Sequence, residues 1–243
     1  MRAVNYRQDA ERRTGYLFGE QVYEVFAVMH ALGLKNPFNA CTKPKSIDDW
    51  LAAGADAWGI LLDGCQALGE AGPESLGLAP AGAHRDLTIE PALCRPGKII
   101  CAALNYPHPD GSTVKPNYPV LFMKPKSSLT GHRQPVLLPP GGHTVEYEGE
   151  IAVVIGRRGK YIPQNQALAH IAGYCLANDI GAQDIQQRNS QWASGKMQDT
   201  FTPLGPWLVT ADEMEDANNL RLQTILNGEI VQDAISAEMF YSI

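Results

Sequence analysis

The stretch VEYEGEIAVVIG, residues 145–156, sets three alternating carboxylates directly before an uninterrupted apolar run. On an extended chain Glu146, Glu148 and Glu150 project to the same face. The apolar residues 151–155 that follow are mostly β-branched, which favours a strand. Alternating acids most often mark a solvated strand edge, because like charges on one face repel. The stretch therefore predicts a strand whose acids need either water or a cation.

A fourth acid changes the balance between these two readings. Asp179 lies at the end of the apolar part of GYCLANDIGAQDIQ, residues 173–186. Burying a lone carboxylate there would be costly. A nearby cation would offset that cost and the repulsion among the glutamates. Carboxylate oxygens suit a hard ion such as Mg²⁺, and the absence of clustered His or Cys argues against zinc.

The surrounding sequence predicts a mainly β or α+β domain from residue 96 onward. Short β-type runs alternate with Gly, Pro and Asn turns there. These runs are residues 99–104, 120–123, 150–155, 207–210 and 222–226. Residues 167–177 are the apolar stretch with helical spacing, so a helix is expected there.

The first 95 residues predict a smaller α+β domain. Residues 16–18 and 21–28 read as a hairpin joined at Gly19 and Glu20. Ser46 and Asp49 form a capping-box pattern, after which apolar residues recur at helical spacing as far as Gly72. Prolines and glycines crowd residues 72–97, which we interpret as a linker. The expected domains are therefore residues 1–95 and 96–243.

Composition excludes several classes of function. The 243 residues carry a net charge of −6 and no basic block, so a nucleic-acid partner is not expected. The amino terminus has charges where a signal peptide needs an apolar core, and no apolar run is long enough for a bilayer. A cytoplasmic protein without membrane contact is expected. Its five cysteines, Cys41, Cys65, Cys94, Cys101 and Cys175, are scattered and read as reduced core thiols.

Familiar nucleotide and hydrolase signatures are missing from the sequence. There is no internal repeat, GxGxxG motif, P-loop or GxSxG motif. Dinucleotide-binding, nucleotide-binding and α/β-hydrolase functions therefore lose their usual support.

Several segments, in order, resemble the catalytic domain of the fumarylacetoacetate hydrolase family over residues 98–240. They are KIICAALNY (98–106), PVLFMKP (119–125), VEYEGEIAVVIG (145–156), GYCLANDIGAQDIQ (173–186), PLGPWLVT (203–210) and NGEIVQ (227–232). Each segment alone is weak, but the ordered set is specific. The resemblance implies an α+β, mainly β fold: a mixed β-roll catalytic domain beside the smaller N-terminal domain.

The resemblance also implies a site. Glu148, Glu150 and Asp179 would bind Mg²⁺ or Mn²⁺. The pocket for a small 2-oxo acid would be lined by Lys124, Gln186 and Lys196, with Lys196 also catalytic. A bound ion would polarise the substrate carbonyl and stabilise a developing enolate.

Members of this family cleave or rearrange acylpyruvates and related 2-oxo or 1,3-diketo acids. The leading prediction is hydrolysis of a carbon–carbon bond in 2-oxo-acid catabolism, including catabolism of aromatic compounds. Isomerase, hydratase or decarboxylase chemistry is the alternative within the class. A catalytically silent member of the same fold is the alternative outside it. A homodimer is the expected assembly.

The sequence departs from the family pattern at three places. Hydrolytic members carry a His–Glu pair in a mobile lid, whereas LNYPHPDGSTV (104–114) has His108 one place early, Pro109 at the expected position and Ser112 instead of Glu. His108 is still a candidate general base, and residues 105–114 are expected to form a mobile loop near the acids. A family Ser-Ala-Arg reads Gly181-Ala182-Gln183. The chain stops at Ile243, where the family pattern continues, so either a fragment of a longer protein or a shortened reading frame is expected.

Overall fold

The apolar run after Glu150 forms the edge strand of an eight-stranded sheet. The structure, a computed structural model, describes residues 2–38, 44–108, 110–112 and 114–243. Its helices are α1 (Val25–Ala31), α2 (Ile47–Ala52), α3 (Ala55–Ala71), α4 (Gln183–Gln186) and α5 (Ala193–Lys196). Its strands are β1 (Arg2–Gln8), β2 (Glu11–Phe18), β3 (Gln21–Glu24), β4 (Gly82–Ala83), β5 (Thr88–Ile89), β6 (Ile99–Ala103), β7 (Val120–Lys124), β8 (Leu129–Thr130), β9 (Val145–Glu146), β10 (Gly149–Ile155), β11 (Ile171–Asn178), β12 (Gly181–Ala182), β13 (Thr202–Pro203), β14 (Leu208–Thr210), β15 (Arg221–Leu226) and β16 (Glu229–Ile235).

The large sheet joins N-terminal strands to strands from the second half of the chain. Its order is β10-β11-β14-β1-β2-β3-β4, and β5 also pairs with β1. Strand β14 pairs antiparallel with β1, where Ala3 faces Leu208, and with β11, where Tyr174 faces Val209. The division at residues 95 and 96 stays a prediction, but strands from both sides of it share this sheet.

Besides the large sheet, the described residues form four two-stranded ladders. The antiparallel pairs are β6 with β7, β9 with β12 and β15 with β16, while β8 and β13 pair parallel. All five predicted β-type runs contain strands at nearly the expected positions. The short β-type runs between turn residues therefore predicted these strands well.

The N-terminal predictions need two corrections. The hairpin forms between β2 and β3, with Phe18 opposite Gln21. However, residues 25–28 belong to α1, because Val25, Val28 and Met29 bury one helical face even though the two valines are β-branched. The expected single helix after Ser46 is two helices, separated at Ala53 and Gly54.

The helix predicted over residues 167–177 is wrong. Residues Gln164–His170 form a 3₁₀ helix and Ile171–Asn178 is strand β11. This strand lies between β10 and β14, and four consecutive residues in it, 172–175, are buried. A strand covered on both faces shows a continuous apolar run instead of alternation, which is why its period was misread.

The main core lies between the sheet and helices α1 to α3. Tyr16, Trp50 and Leu61 are fully buried there. The Tyr16 hydroxyl donates to the Leu61 carbonyl oxygen at 2.8 Å, so a polar group of the sheet ties α3 in place. Helix α2 begins with the predicted Ser46–Asp49 capping box.

The cysteine side chains of Cys65, Cys94, Cys101 and Cys175 are free thiols. Burial raises the pKa of each to about 12. They are therefore protonated at neutral pH, as expected for inert thiols. Cys41 lies outside the described residues.

None of the helices in the described ranges is both long and apolar enough to cross a membrane.

Asn5 connects three segments of the N-terminal part. Its buried amide nitrogen donates to the carbonyl oxygens of Pro91 and Ala92, each at 3.0 Å. Its side-chain oxygen accepts from the backbone N–H of Ile47 at 2.9 Å. A strand, the extended segment after β5 and the start of α2 are thus fixed by one side chain.

We expect Asn5→Ala to lower the free energy of unfolding by about 2–4 kcal/mol, because it leaves buried carbonyl and N–H groups without partners. Urea unfolding followed by circular dichroism measures this loss. Gln66→Ala, which removes an exposed side-chain contact on α3, is the control and should change stability by less than about 0.5 kcal/mol. Equal effects from the two variants would contradict the role given to Asn5.

Candidate metal and substrate site

Glu148 and Asp179 face each other where two strand pairs meet. The β10–β11 ladder ends with Gly149 opposite Asn178, and the β9–β12 ladder resumes with Glu146 opposite Gly181. Between them the Asp179 N–H donates to the Glu148 carbonyl oxygen at 2.8 Å. The Glu148 N–H donates to the side-chain oxygen of Asn178 at 2.9 Å. The backbone thus brings two of the predicted ligands together.

Lys196 bridges these two acids. It ends α5, and its side chain is 3% exposed. Its Nζ donates to Glu148 Oε2 at 2.6 Å and to the Asp179 carbonyl oxygen at 2.9 Å, and it lies 3.3 Å from Asp179 Oδ2. The predicted catalytic lysine therefore lies in the carboxylate cluster.

Lys124 is a second lysine partner of Asp179. It is the last residue of β7, and its side chain is fully buried. Its Nζ pairs with Asp179 Oδ1 and donates to the carbonyl oxygens of Ile180 at 3.1 Å and Phe201 at 2.9 Å. Burial lowers the pKa of Lys124, and the Asp179 charge opposes this shift. Its contacts here are internal, so the predicted contact with substrate stays a prediction.

Glu150 is the acid whose charge is not matched. Within the described ranges its carboxylate makes no hydrogen bond or ion pair. Burial, together with the charges of Glu148 and Asp179, raises the pKa of Glu150 to about 7, while Lys196 opposes the shift. Glu146, by contrast, is exposed.

The wall of the site comes from strands β6 and β7 and from the segment that connects them. Phe122 faces the Lys196 ammonium, which lies 5.8 Å from its ring centroid. The Asp179 charge adds to burial in raising the pKa of Cys101, and Glu150 does the same for Tyr106. None of these three residues is predicted from the sequence as a site residue, and Cys101 is expected there only as a core thiol. Alternation along β6 and β7 with Lys124 inward is the signal that could have found Cys101 and Phe122.

Gln186 lies beside Lys196 against β12. A methyl group on Gly181 would lie 3.1 Å from Lys196 Cε and 3.2 Å from Gln186 Oε1. The glycine thus leaves room for both predicted pocket residues to approach the strand. Gly181 occupies the position of the serine in the family pattern.

His108 is exposed and pairs with Asp110. The distance from His108 Nδ1 to Asp110 Oδ1 is 2.6 Å. Hydrogen bonds from Ser112, with a further one from His108, lower the pKa of Asp110 to about 2. Asn105 is hydrogen-bonded to Tyr241 near the end of the chain. Its side-chain nitrogen donates to the Tyr241 carbonyl oxygen, and its side-chain oxygen accepts from the Tyr241 N–H. The predicted mobility of residues 105–114 stays a prediction, and Pro109 lies outside the described residues.

The residues suit a divalent cation in their chemistry. Three carboxylates interact electrostatically, and one of them is largely buried without a hydrogen-bonding partner. Such an excess of negative charge is what a hard, oxygen-preferring ion would neutralise. In the described part of the chain no three acidic, imidazole or thiol side chains are arranged as a complete ligand set. The ligand assignment to Glu148, Glu150 and Asp179 therefore stays a prediction.

Comparison with known proteins identifies the family. Residues 98–243 match the family described as fumarylacetoacetate (FAA) hydrolase C-terminal. The chain belongs to the fumarylacetoacetate hydrolase family, which confirms the resemblance seen in the sequence.

Two curated relatives carry the same enzyme name. The mitochondrial oxaloacetate tautomerase Fahd2a of Rattus norvegicus is 42% identical over 158 residues, covering 64% of this chain and 50% of that protein. The mitochondrial oxaloacetate tautomerase FAHD2A of Homo sapiens is 40% identical over 166 residues, covering 67% and 53%. The chain spans about half the length of these curated relatives.

Solved structures share the fold. Maleylpyruvate hydrolase from Sphingobium sp. SYK-6, in complex with manganese(II) and pyruvate, is 26% identical with a TM-score of 0.75, covering 100% of this chain and 79% of that one. The 5-carboxymethyl-2-hydroxymuconate delta-isomerase of Mycobacterium smegmatis is 25% identical with a TM-score of 0.68 and the same coverage. These similarities confirm the predicted mainly β, α+β fold.

The charge on Glu150 predicts a pH-dependent stability in metal-free protein. Its folded pKa is about 7, above its ordinary value of 4.5. The neutral form therefore contributes stability that is complete below about pH 4.5 and is lost as the pH rises through 7. We expect Glu150→Gln to become increasingly more stable than the unmodified chain between pH 5 and 8, measured by urea unfolding in EDTA.

The matched control is Glu146→Gln, which neutralises the exposed acid four residues earlier on the same segment. It should leave the pH profile unchanged. A constant difference between Glu150→Gln and the unmodified chain across this range would contradict the electrostatic repulsion inferred at Glu150.

Proposed function

We propose that the site interconverts the keto and enol forms of a short 2-oxo acid, with oxaloacetate as the first substrate to test, and that a divalent cation is required. The observation that carries this proposal is the Lys196 ammonium, held between Glu148 and Asp179. Relatives about 40% identical and named oxaloacetate tautomerase support the substrate class. The predicted carbon–carbon hydrolase activity becomes the second candidate.

The metal would be held by Glu148, Glu150 and Asp179. When bound, it would polarise the 2-oxo carbonyl and stabilise negative charge developing on that oxygen. Mg²⁺ or Mn²⁺ suits a carboxylate ligand set. Manganese in the hydrolase from Sphingobium supports this choice.

The chain itself supplies positioning and proton transfer. Tautomerisation moves one proton between the carbon next to the carbonyl and the carbonyl oxygen, and it consumes no water. Lys196 is the group proposed to mediate that transfer: its ammonium would give a proton to the enol carbon and regain one from the enol hydroxyl, and it lies beside the acids at the end of a flexible side chain. Lys124 holds Asp179 in place, and Gln186 is positioned to hydrogen-bond a substrate carboxylate or carbonyl.

Hydrolysis of an acylpyruvate is favoured by a different observation. Hydrolysis needs an activated water, and the His108–Asp110 pair has the geometry of an imidazole oriented by a carboxylate. Asp110 would replace the glutamate of the family pattern. Both residues are exposed, so this pair would have to approach the acids on substrate binding.

The predicted homodimer and cytoplasmic location remain proposals. Ile100, Leu121 and Met123 are exposed on the outer face of the β6–β7 hairpin. Apolar side chains grouped in this way are compatible with a covered interface.

An activity assay with paired variants separates the candidates. We expect metal-dependent loss of the enol absorbance of oxaloacetate, abolished by EDTA and reduced about 10²-fold or more by Glu148→Ala or Lys196→Met. His108→Ala should leave tautomerisation unchanged. Release of pyruvate from acylpyruvates, lost in His108→Ala, would establish hydrolysis instead. No turnover of either substrate class by folded, metal-loaded protein would favour the silent member.

Metal binding should also stabilise the fold. Mn²⁺ at a hundredfold excess over its dissociation constant should add about 2.7 kcal/mol to the free energy of unfolding. Differential scanning calorimetry should show the rise in melting temperature, weakened in Glu148→Gln and Asp179→Asn. Glu146→Gln is the control with an unchanged response. A melting curve that does not move from zero to millimolar metal would contradict the metal site.

A further inference from the structure

In the part of the chain that the structure describes, strand β10 has no neighbouring strand on one side of its backbone. On its other side it pairs with β11. Gly149 is the first residue of β10, and it lies between the two proposed ligands Glu148 and Glu150. Any movement of the Gly149 peptide therefore moves both carboxylates.

A single side chain satisfies both outward backbone groups of Gly149. The Gly149 N–H donates to Gln232 Oε1 at 2.8 Å, and Gln232 Nε2 donates to the Gly149 carbonyl oxygen at 2.8 Å. The amide of Gln232 thus replaces the strand neighbour that the edge lacks. The Gly149 N–H belongs to the peptide group shared with Glu148, and the Gly149 carbonyl belongs to the one shared with Glu150, so the two bonds fix both peptide groups that flank Gly149.

The hairpin of β15 and β16 orients the side-chain amide of Gln232. Asn227 and Gly228, both at positive φ, connect the strands in a two-residue turn. A register shift between Thr224 and Ile225 then places Thr224 opposite Gln232, and the Thr224 hydroxyl donates to Gln232 Oε1 at 2.8 Å. This third bond holds the amide with its oxygen toward Gly149 N.

The close fit explains the glycine. A methyl group on Gly149 would lie 2.3 Å from Thr224 Oγ1 and 3.0 Å from Gln232 Oε1. No heavy atom approaches that closely without displacement. The glycine of the EGE sequence therefore admits the hairpin against the ligand-bearing strand.

We propose that Gln232, supported by Thr224, is a positioning residue for the cation: it sets the spacing and orientation of Glu148 and Glu150 by clamping the Gly149 peptide. The inference rests on the proposed metal-dependent function. Gln232 does not touch the ion or the substrate in this role. It acts through the backbone, as partners of metal ligands do elsewhere.

The test measures Mn²⁺ affinity by isothermal titration calorimetry in the full chain. We expect Gln232→Leu, which removes both bonds, to weaken binding about 10- to 100-fold. Gln232→Glu should weaken it similarly, because a carboxylate cannot donate to the Gly149 carbonyl oxygen. The Mn²⁺ electron paramagnetic resonance spectrum of each variant should also change, since it reports ligand arrangement.

Two controls lie on the same hairpin. Gln223→Leu removes an exposed amide that bonds Asp233 and should leave Mn²⁺ affinity unchanged. Leu222→Ala should lower the melting temperature while keeping the affinity and spectrum of the unmodified chain. If Leu222→Ala lost as much Mn²⁺ affinity as Gln232→Leu, the loss would reflect general destabilisation of the hairpin. That result would overturn the proposal.

A steric rescue provides an independent check. Gly149→Ala should weaken Mn²⁺ binding, and adding Thr224→Ala should recover part of the loss by removing the closest atom. Normal binding by Gln232→Leu would overturn the clamp and leave the proposed function standing. Absence of Mn²⁺ binding by the unmodified chain would overturn both.

Discussion

The pairing of Asp179 with two buried lysines is the interaction on which the site depends. Lys124 approaches from strand β7 and Lys196 from helix α5, so three separate segments meet at one carboxylate. Burying these charges is costly, and only their mutual attraction together with hydrogen bonds to backbone carbonyls offsets that cost. Truncating Asp179 would leave Lys124 as a buried charge without its carboxylate partner. The geometry of the site is therefore tied to the packing of the domain.

This arrangement makes the acids unequal. Asp179 and Glu148 have ammonium partners, whereas Glu150 is largely buried without one. An incoming cation would complete the neutralisation at Glu150 but would have to compete with Lys196 for Glu148 and Asp179. The lysine would be released toward the substrate as the ion is gained. Metal binding and the availability of the proton carrier would then be coupled through shared carboxylates.

Most of the strands and the candidate ligands could be predicted from the sequence, because their signals are carried by neighbouring residues. The alternating acids before β10 and the buried position of Asp179 follow from a few adjacent residues. The helix expected over residues 167–177 failed because a central strand is apolar on both faces, and only the neighbours β10 and β14 reveal that. Gln232 was missed for a similar reason: its partner Gly149 lies 83 residues away in the chain. Polar residues that act through another segment's backbone leave no spacing pattern.

The pairing of strand β14 bears on which part of this chain can be treated as a structural unit. The family match begins at residue 98, yet β14 inside that match shares its backbone hydrogen bonds with β1, near the opposite end of the sequence. The segment that matches the family thus shares a sheet with residues outside the match. Cut at the boundary of similarity, it would expose the β14 edge and the apolar surface around Leu208. A segment exchanged between relatives would therefore need to include the strand that corresponds to β1.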